Sequence, residues 1–126
     1  TGTDSVVWSL DKGTPDVPSL LLSQGRLYFH SARNGIVSCL DAKTGEPHYA
    51  RERIDALRNV YASPVAAGGY VFLTDRDGTT VVIKDGPDLE IVSTNQLGEP
   101  VDATPVPDGS DIFIRAAKHL YCIRKK

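Results

Sequence analysis

The sequence predicts an all-β fold made of small four-stranded antiparallel sheets, and three observations carry the prediction. Turn dipeptides recur along the chain: Gln24-Gly25, Asn34-Gly35, Gly68-Gly69, Asp77-Gly78 and Asp108-Gly109. Between them lie short runs rich in β-branched and aromatic residues, RLYFHS, YVFLTD and DIFIRA, a composition that fits a pleated, packed surface. The whole pattern then repeats: LLLSQGRLYFHSARNGIVSCLD from Leu20, PVAAGGYVFLTDRDGTTVVIKD from Pro64 and PVPDGSDIFIRAAKHLYCIRKK from Pro105 follow one order, at spacings of 44 and 41 residues.

Each unit opens on a small residue (Ser19, Ser63, Thr104) and continues as apolar stretch, glycine turn, β-rich stretch, second turn and third apolar stretch. A period in the low forties built of short strands is the signature of propeller blades. The strands are apolar on both faces, which suits sheets that stack face to face. In chain order, residues 1–12 are read as an outer strand (Ser5-Val6-Val7-Trp8-Ser9-Leu10) of a preceding or partner blade, 13–53 and 54–97 as blades, and 98–126 as an incomplete last blade. The result is about three blades of a partial β-propeller. EPHYARER supplies a fourth, outermost strand. ARERIDALRN contains good helix formers with Ile54 and Leu57 three apart, yet the repeat makes it an outer strand running into a loop.

The stretch SCLDAKTGEPHY breaks an apolar run with Asp-Ala-Lys-Thr-Gly. Asp41 ends the third strand of its blade, where its carboxylate can accept the amides of Lys43 or Thr44 in an Asx-type turn. Gly45 supplies the positive φ needed to re-enter the sheet. Asp41, Thr44 and Gly45 are therefore read as turn geometry rather than as reagents. At these residues the sequence resembles the pyrroloquinoline-quinone-like (PQQ-like) β-propeller repeat family: CLDAKTGEPHY is similar to its Ala-x-Asp-x-x-Thr-Gly-x-x-x-Trp motif, and PDVPS, YASPVAAGG and DATPVPDG to its blade-entry segments. The resemblance runs from about Val6 to Ile123 and implies a C-terminal three-blade section of such a propeller. Cys39 replaces the motif's Ala and Tyr49 its Trp, Trp8 fits the same place in the preceding strand, and Lys84-Asp85-Gly86-Pro87-Asp88 departs from the turn motif.

Lys plus Arg number 14 and Asp plus Glu 16, so a net charge of -2 offers no broad attraction to nucleic acid or anionic lipid. No stretch approaches the roughly 18 apolar residues of a membrane span, and the first residues lack a signal-peptide pattern, so a soluble chain is expected. Two cysteines, Cys39 and Cys122, are too few and too far apart for a disulfide framework or metal knuckle, and both are read as small buried hydrophobes. Asp75-Arg76-Asp77-Gly78 lacks the further acids of a calcium loop, and His30, His48 and His119 form no pair at ligand spacing. There is no Gly-x-Ser-x-Gly and no phosphate loop before a helix. No catalytic, metal or cofactor residue is expected, and enzyme activity is disfavoured.

What remains is recognition. Loops entering the first strand of a blade and loops joining its second and third strands emerge on one face, and that rim gathers Arg33, Asn34, Arg58, Tyr61, Asp75, Arg76, Asp77 and Arg115, with Asp16, Asn59, Asp102 and Lys118 beside them. Mixed Arg, Asp and Tyr suits a protein or small ligand. The expected function is a non-catalytic binding or scaffolding module, as the resemblance implies through the family's outer-membrane assembly lipoprotein, and an extracytoplasmic place follows from the resemblance alone. Two other readings stand beside it: the C-terminal part of a quinone-dependent dehydrogenase, and a glycan-binding accessory module. For the first, the resemblance implies an adjacent Cys pair, PQQ, calcium and a catalytic Asp, and this sequence has no adjacent cysteines. The unmatched outer strand and the incomplete blade call for either a second copy, making a homodimer, or the remaining blades of a longer chain.

Overall fold

The structure, a computed structural model, describes residues 8–10, 14, 18–31, 34–109 and 111–124. Among these there is no helix. The first sheet runs β1 (Leu21–Ser23), β2 (Arg26–His30), β3 (Ile36–Asp41) and β4 (Pro47–Arg53) in spatial order. The second runs β5 (Val65–Ala67), β6 (Tyr70–Thr74), β7 (Thr79–Lys84) and β8 (Ile91–Gln96). The third has β9 (Val106–Asp108), β10 (Asp111–Arg115) and β11 (Leu120–Arg124), and the outer edge of β11 carries no pairing among the described residues. All pairings are antiparallel. First strands adjoin, β1 beside β5 and β5 beside β9, so each sheet meanders outward from a common axis. This is the partial propeller that the repeat predicts.

Local sequence explains the hairpins. Ala67 pairs with Tyr70 across Gly68 and Gly69, whose φ values of 59° and 84° make the two-residue turn that matches strand twist. In the first sheet Gln24 takes the left-handed φ of 51° beside Gly25, a conformation that costs a residue with a Cβ more than it costs glycine. Residues 50–59 settle as strand and turn, not helix. β4 runs to Arg53, and Ile54 and Leu57 then enter the core because burial of two large side chains outweighs helix propensity. Within β4 the ladder shifts register near Cys39, and Arg51 sits at φ 54° with its amide donated to Ser38 Oγ at 2.9 Å, the mark of a bulge.

Strand alternation assigns each side chain to one inter-sheet layer. Tyr28, Val37 and Cys39 of the first sheet meet Val71, Leu73, Val81 and Ile83 of the second. Phe72 points the other way, toward Ile112, Ile114, Tyr121 and Ile123 of the third. The strands β6 and β7 of the second sheet are thus covered on both faces, which is why they lack polar alternation, whereas the outer strand β8 is exposed along its length. Cys39 is buried but Cys122 is exposed, against the expectation for both. Cys122 lies on the far face of the edge strand β11, and no sheet covers that face among the described residues.

Of the expected N-terminal outer strand, Ser5–Val7 fall outside the described residues, and Trp8–Leu10 carry no sheet pairing. Trp8 is nonetheless fixed. Its Nε1 donates to Ala42 O at 3.1 Å, and its ring lies against Gly45, where an added Cβ would come within 2.6 Å of the indole.

Candidate functional site

The β2–β3, β6–β7 and β10–β11 connections leave the sheets at one end, and the two segments that link successive sheets pack over them. Residues 54–60 are tied down through Ile54 N to Gly35 O at 2.8 Å and Arg76 N to Asn59 O at 2.7 Å. Residues 97–102 are tied in the same way by Leu97 N to Gly78 O, Val101 N to Arg76 O and Ala117 N to Pro100 O. Each linker therefore joins the loop of its own sheet to the loop of the next, and the rim is a backbone-bonded surface.

Two acids organise it from beneath. Asp75 is 1% exposed, and its carboxylate accepts the amides of Asp77 and Thr79 on Oδ1 and of Arg58 on Oδ2, at 3.0 to 3.2 Å. It is a buried turn anchor rather than a contact residue. Glu99 accepts the amides of Lys118 and His119, the Tyr121 hydroxyl at 2.6 Å and the His119 ring. Those bonds, the Tyr121 hydroxyl first, hold its pKa down at about 2. Among the described residues no three His, Cys, Asp or Glu side chains are grouped to hold a metal ion.

On top of these anchors the outward groups converge. Arg76 stacks over Tyr61 at 4.4 Å from the ring centre and forks onto Asp102, at 2.6 Å to Oδ1 and 3.3 Å to Oδ2. Arg76 and Asp102 remain 40% and 57% exposed, so a partner can reach both. Asn34, Arg58, Asp77, Arg115 and Lys118 are exposed around them. Arg33 and Asp16 lie outside the described residues. The structure thus brings Tyr61, Arg76 and Asp102 together, surrounds them with charges of both signs and withdraws Asp75.

At the opposite end Asp41 Oδ1 accepts the amides of Lys43 at 2.8 Å and Thr44 at 3.2 Å, Thr44 Oγ1 accepts the amide of Glu46, and Gly45 has φ 77°. These bonds hold the Asp41 carboxyl below its ordinary range. The second sheet does something different at its outer turn. Asp85, whose side chain is 1% exposed, receives Ser23 Oγ at 2.5 Å, Tyr28 Oη at 2.6 Å and Arg26 at 3.3 Å from the first sheet. Burial, then the bond to Asp85, raises the Tyr28 pKa, and the bond to Tyr28 leads the causes that raise that of Arg26. Sequence reading missed Asp85 and Glu99. The signal for Asp85 was the departure of Lys84–Asp88 from the turn motif, whereas Glu99 stands in a Gly-Glu-Pro with nothing to mark its four bonds.

No protein-family model matches the chain, and no curated protein matches it in sequence. Solved structures are similar to it in fold. BamB from Moraxella catarrhalis superposes over 86% of this chain with a TM-score of 0.64 and 18% identity. The computationally designed Ika8 protein superposes over 84% with a TM-score of 0.67 and 14% identity. The chain spans about a third of each, 33% and 32%. These likenesses give the fold, a β-propeller-like arrangement.

Proposed function

We propose that the chain is a non-catalytic, PQQ-like propeller section that binds another protein through the rim centred on Tyr61, Arg76 and Asp102. The observation that carries this reading is the stack of an aromatic ring, a guanidinium and a carboxylate held in place by linkers that cross two sheets. Side chains ordered before binding lose less entropy when a partner arrives, and Tyr and Arg are the residue types that dominate binding energy in interfaces. Arg58, Asp77, Arg115 and Lys118 supply a polar margin of mixed sign, suited to steering one partner and rejecting others. The BamB likeness supports the architecture of a binding or scaffolding module, and with the repeat motif it favours an extracytoplasmic place.

The test is site-specific photo-crosslinking in the cells that make the protein. A photoreactive residue at Asp77 or Arg115 should give one discrete crosslinked band, and the same residue at Asp88, at the opposite end, should give none. Equal crosslinking from all three positions would end the rim assignment. The reading also takes the chain to bind no quinone, since it has no adjacent cysteines. Calorimetric titration with PQQ and calcium should give no saturable heat, and a stoichiometric signal would promote the dehydrogenase reading.

A further inference from the structure

We draw no further inference here: the strongest candidate, the largely apolar cavity of about 520 Å³ lined by Tyr70, Phe72, Val82 and Val92 of the second sheet and Ile123 of the third, borders β11, the edge strand of the third sheet among the described residues, and nothing in the structure shows what covers it on that side.

Discussion

The Ser63 amide donates to Thr104 Oγ1 at 3.0 Å, and one repeat earlier the Ser19 amide donates to Ser63 Oγ at 2.7 Å. Ser63 is thus a rung between repeats: its backbone gives to the next sheet and its hydroxyl takes from the previous one. Ser63→Ala removes the acceptor for Ser19 and should lower stability by roughly 0.5–1.5 kcal/mol, because water can reach these groups and replace part of the bond. Ser63→Thr keeps an oxygen there and should cost less than the alanine variant. Urea midpoints decide it, and equal losses for Ala and Thr would remove the rung as the reason for a hydroxyl at this step.

Trp8 is the chain's one tryptophan, so its fluorescence reports the contact with Gly45 directly. Gly45→Val places a branched side chain against the indole at a φ of 77° that valine rarely adopts. The expected result is a red-shifted emission and a loss of roughly 1–3 kcal/mol. Asp41→Ala removes the acceptor for Lys43 and Thr44 and should lower the unfolding midpoint by less than Gly45→Val, with a smaller emission shift. An unshifted spectrum in Gly45→Val would mean that the indole does not rest on the turn in solution.

Asp85 carries the junction of the first two sheets, and its removal leaves Arg26 and the Tyr28 hydroxyl without their shared acceptor. Asp85→Ala should cost roughly 2–4 kcal/mol, the range for stranding a buried polar partner, whereas Ser23→Ala should cost roughly 1 kcal/mol. Equal midpoints for the two variants would show that Asp85 is not the anchor the geometry describes.

The architecture was legible because its determinants are local and repeated. Gly68-Gly69 dictates a tight hairpin wherever it occurs, and Val71-Phe72-Leu73 announces burial on both faces. Even ARERIDALRN, with its good helix formers, is strand and turn, as its place in the repeat requires. The site was less legible. Asp75 reads as a surface acid within Asp-Arg-Asp-Gly, but turn closure directs its carboxylate inward onto three amides. Tyr61 and Arg76 are 15 residues apart in sequence and meet only because a linker folds back over the next sheet. Cys122 reads as core by analogy with Cys39, and its exposure depends on what lies beyond β11, which no residue within the strand encodes.

His30 adds a pH dependence whose sign is fixed by burial. Its side chain is fully buried on the same strand face as Tyr28, and neither ring nitrogen has a hydrogen-bond partner among the described residues. Burial lowers its pKa from 6.5 to about 4, against a smaller opposing pull from the Asn34 backbone. The unfolded chain therefore binds a proton that the folded chain refuses between pH 6.5 and 4, and stability falls as pH drops through that window. The loss should reach roughly 2–3 kcal/mol, most of it above the range where Glu99 begins to matter. Glu99 acts lower down: its folded pKa of about 2 lies below the ordinary 4.5, so its contribution is present above 4.5 and fades toward 2. The two windows separate the groups. His30→Thr copies Thr74, which occupies the same position in β6, and should flatten the stability curve between pH 6.5 and 4.5 while leaving the lower limb unchanged. Urea unfolding across that range tests it, and an undiminished slope in the variant would assign the upper limb to another group.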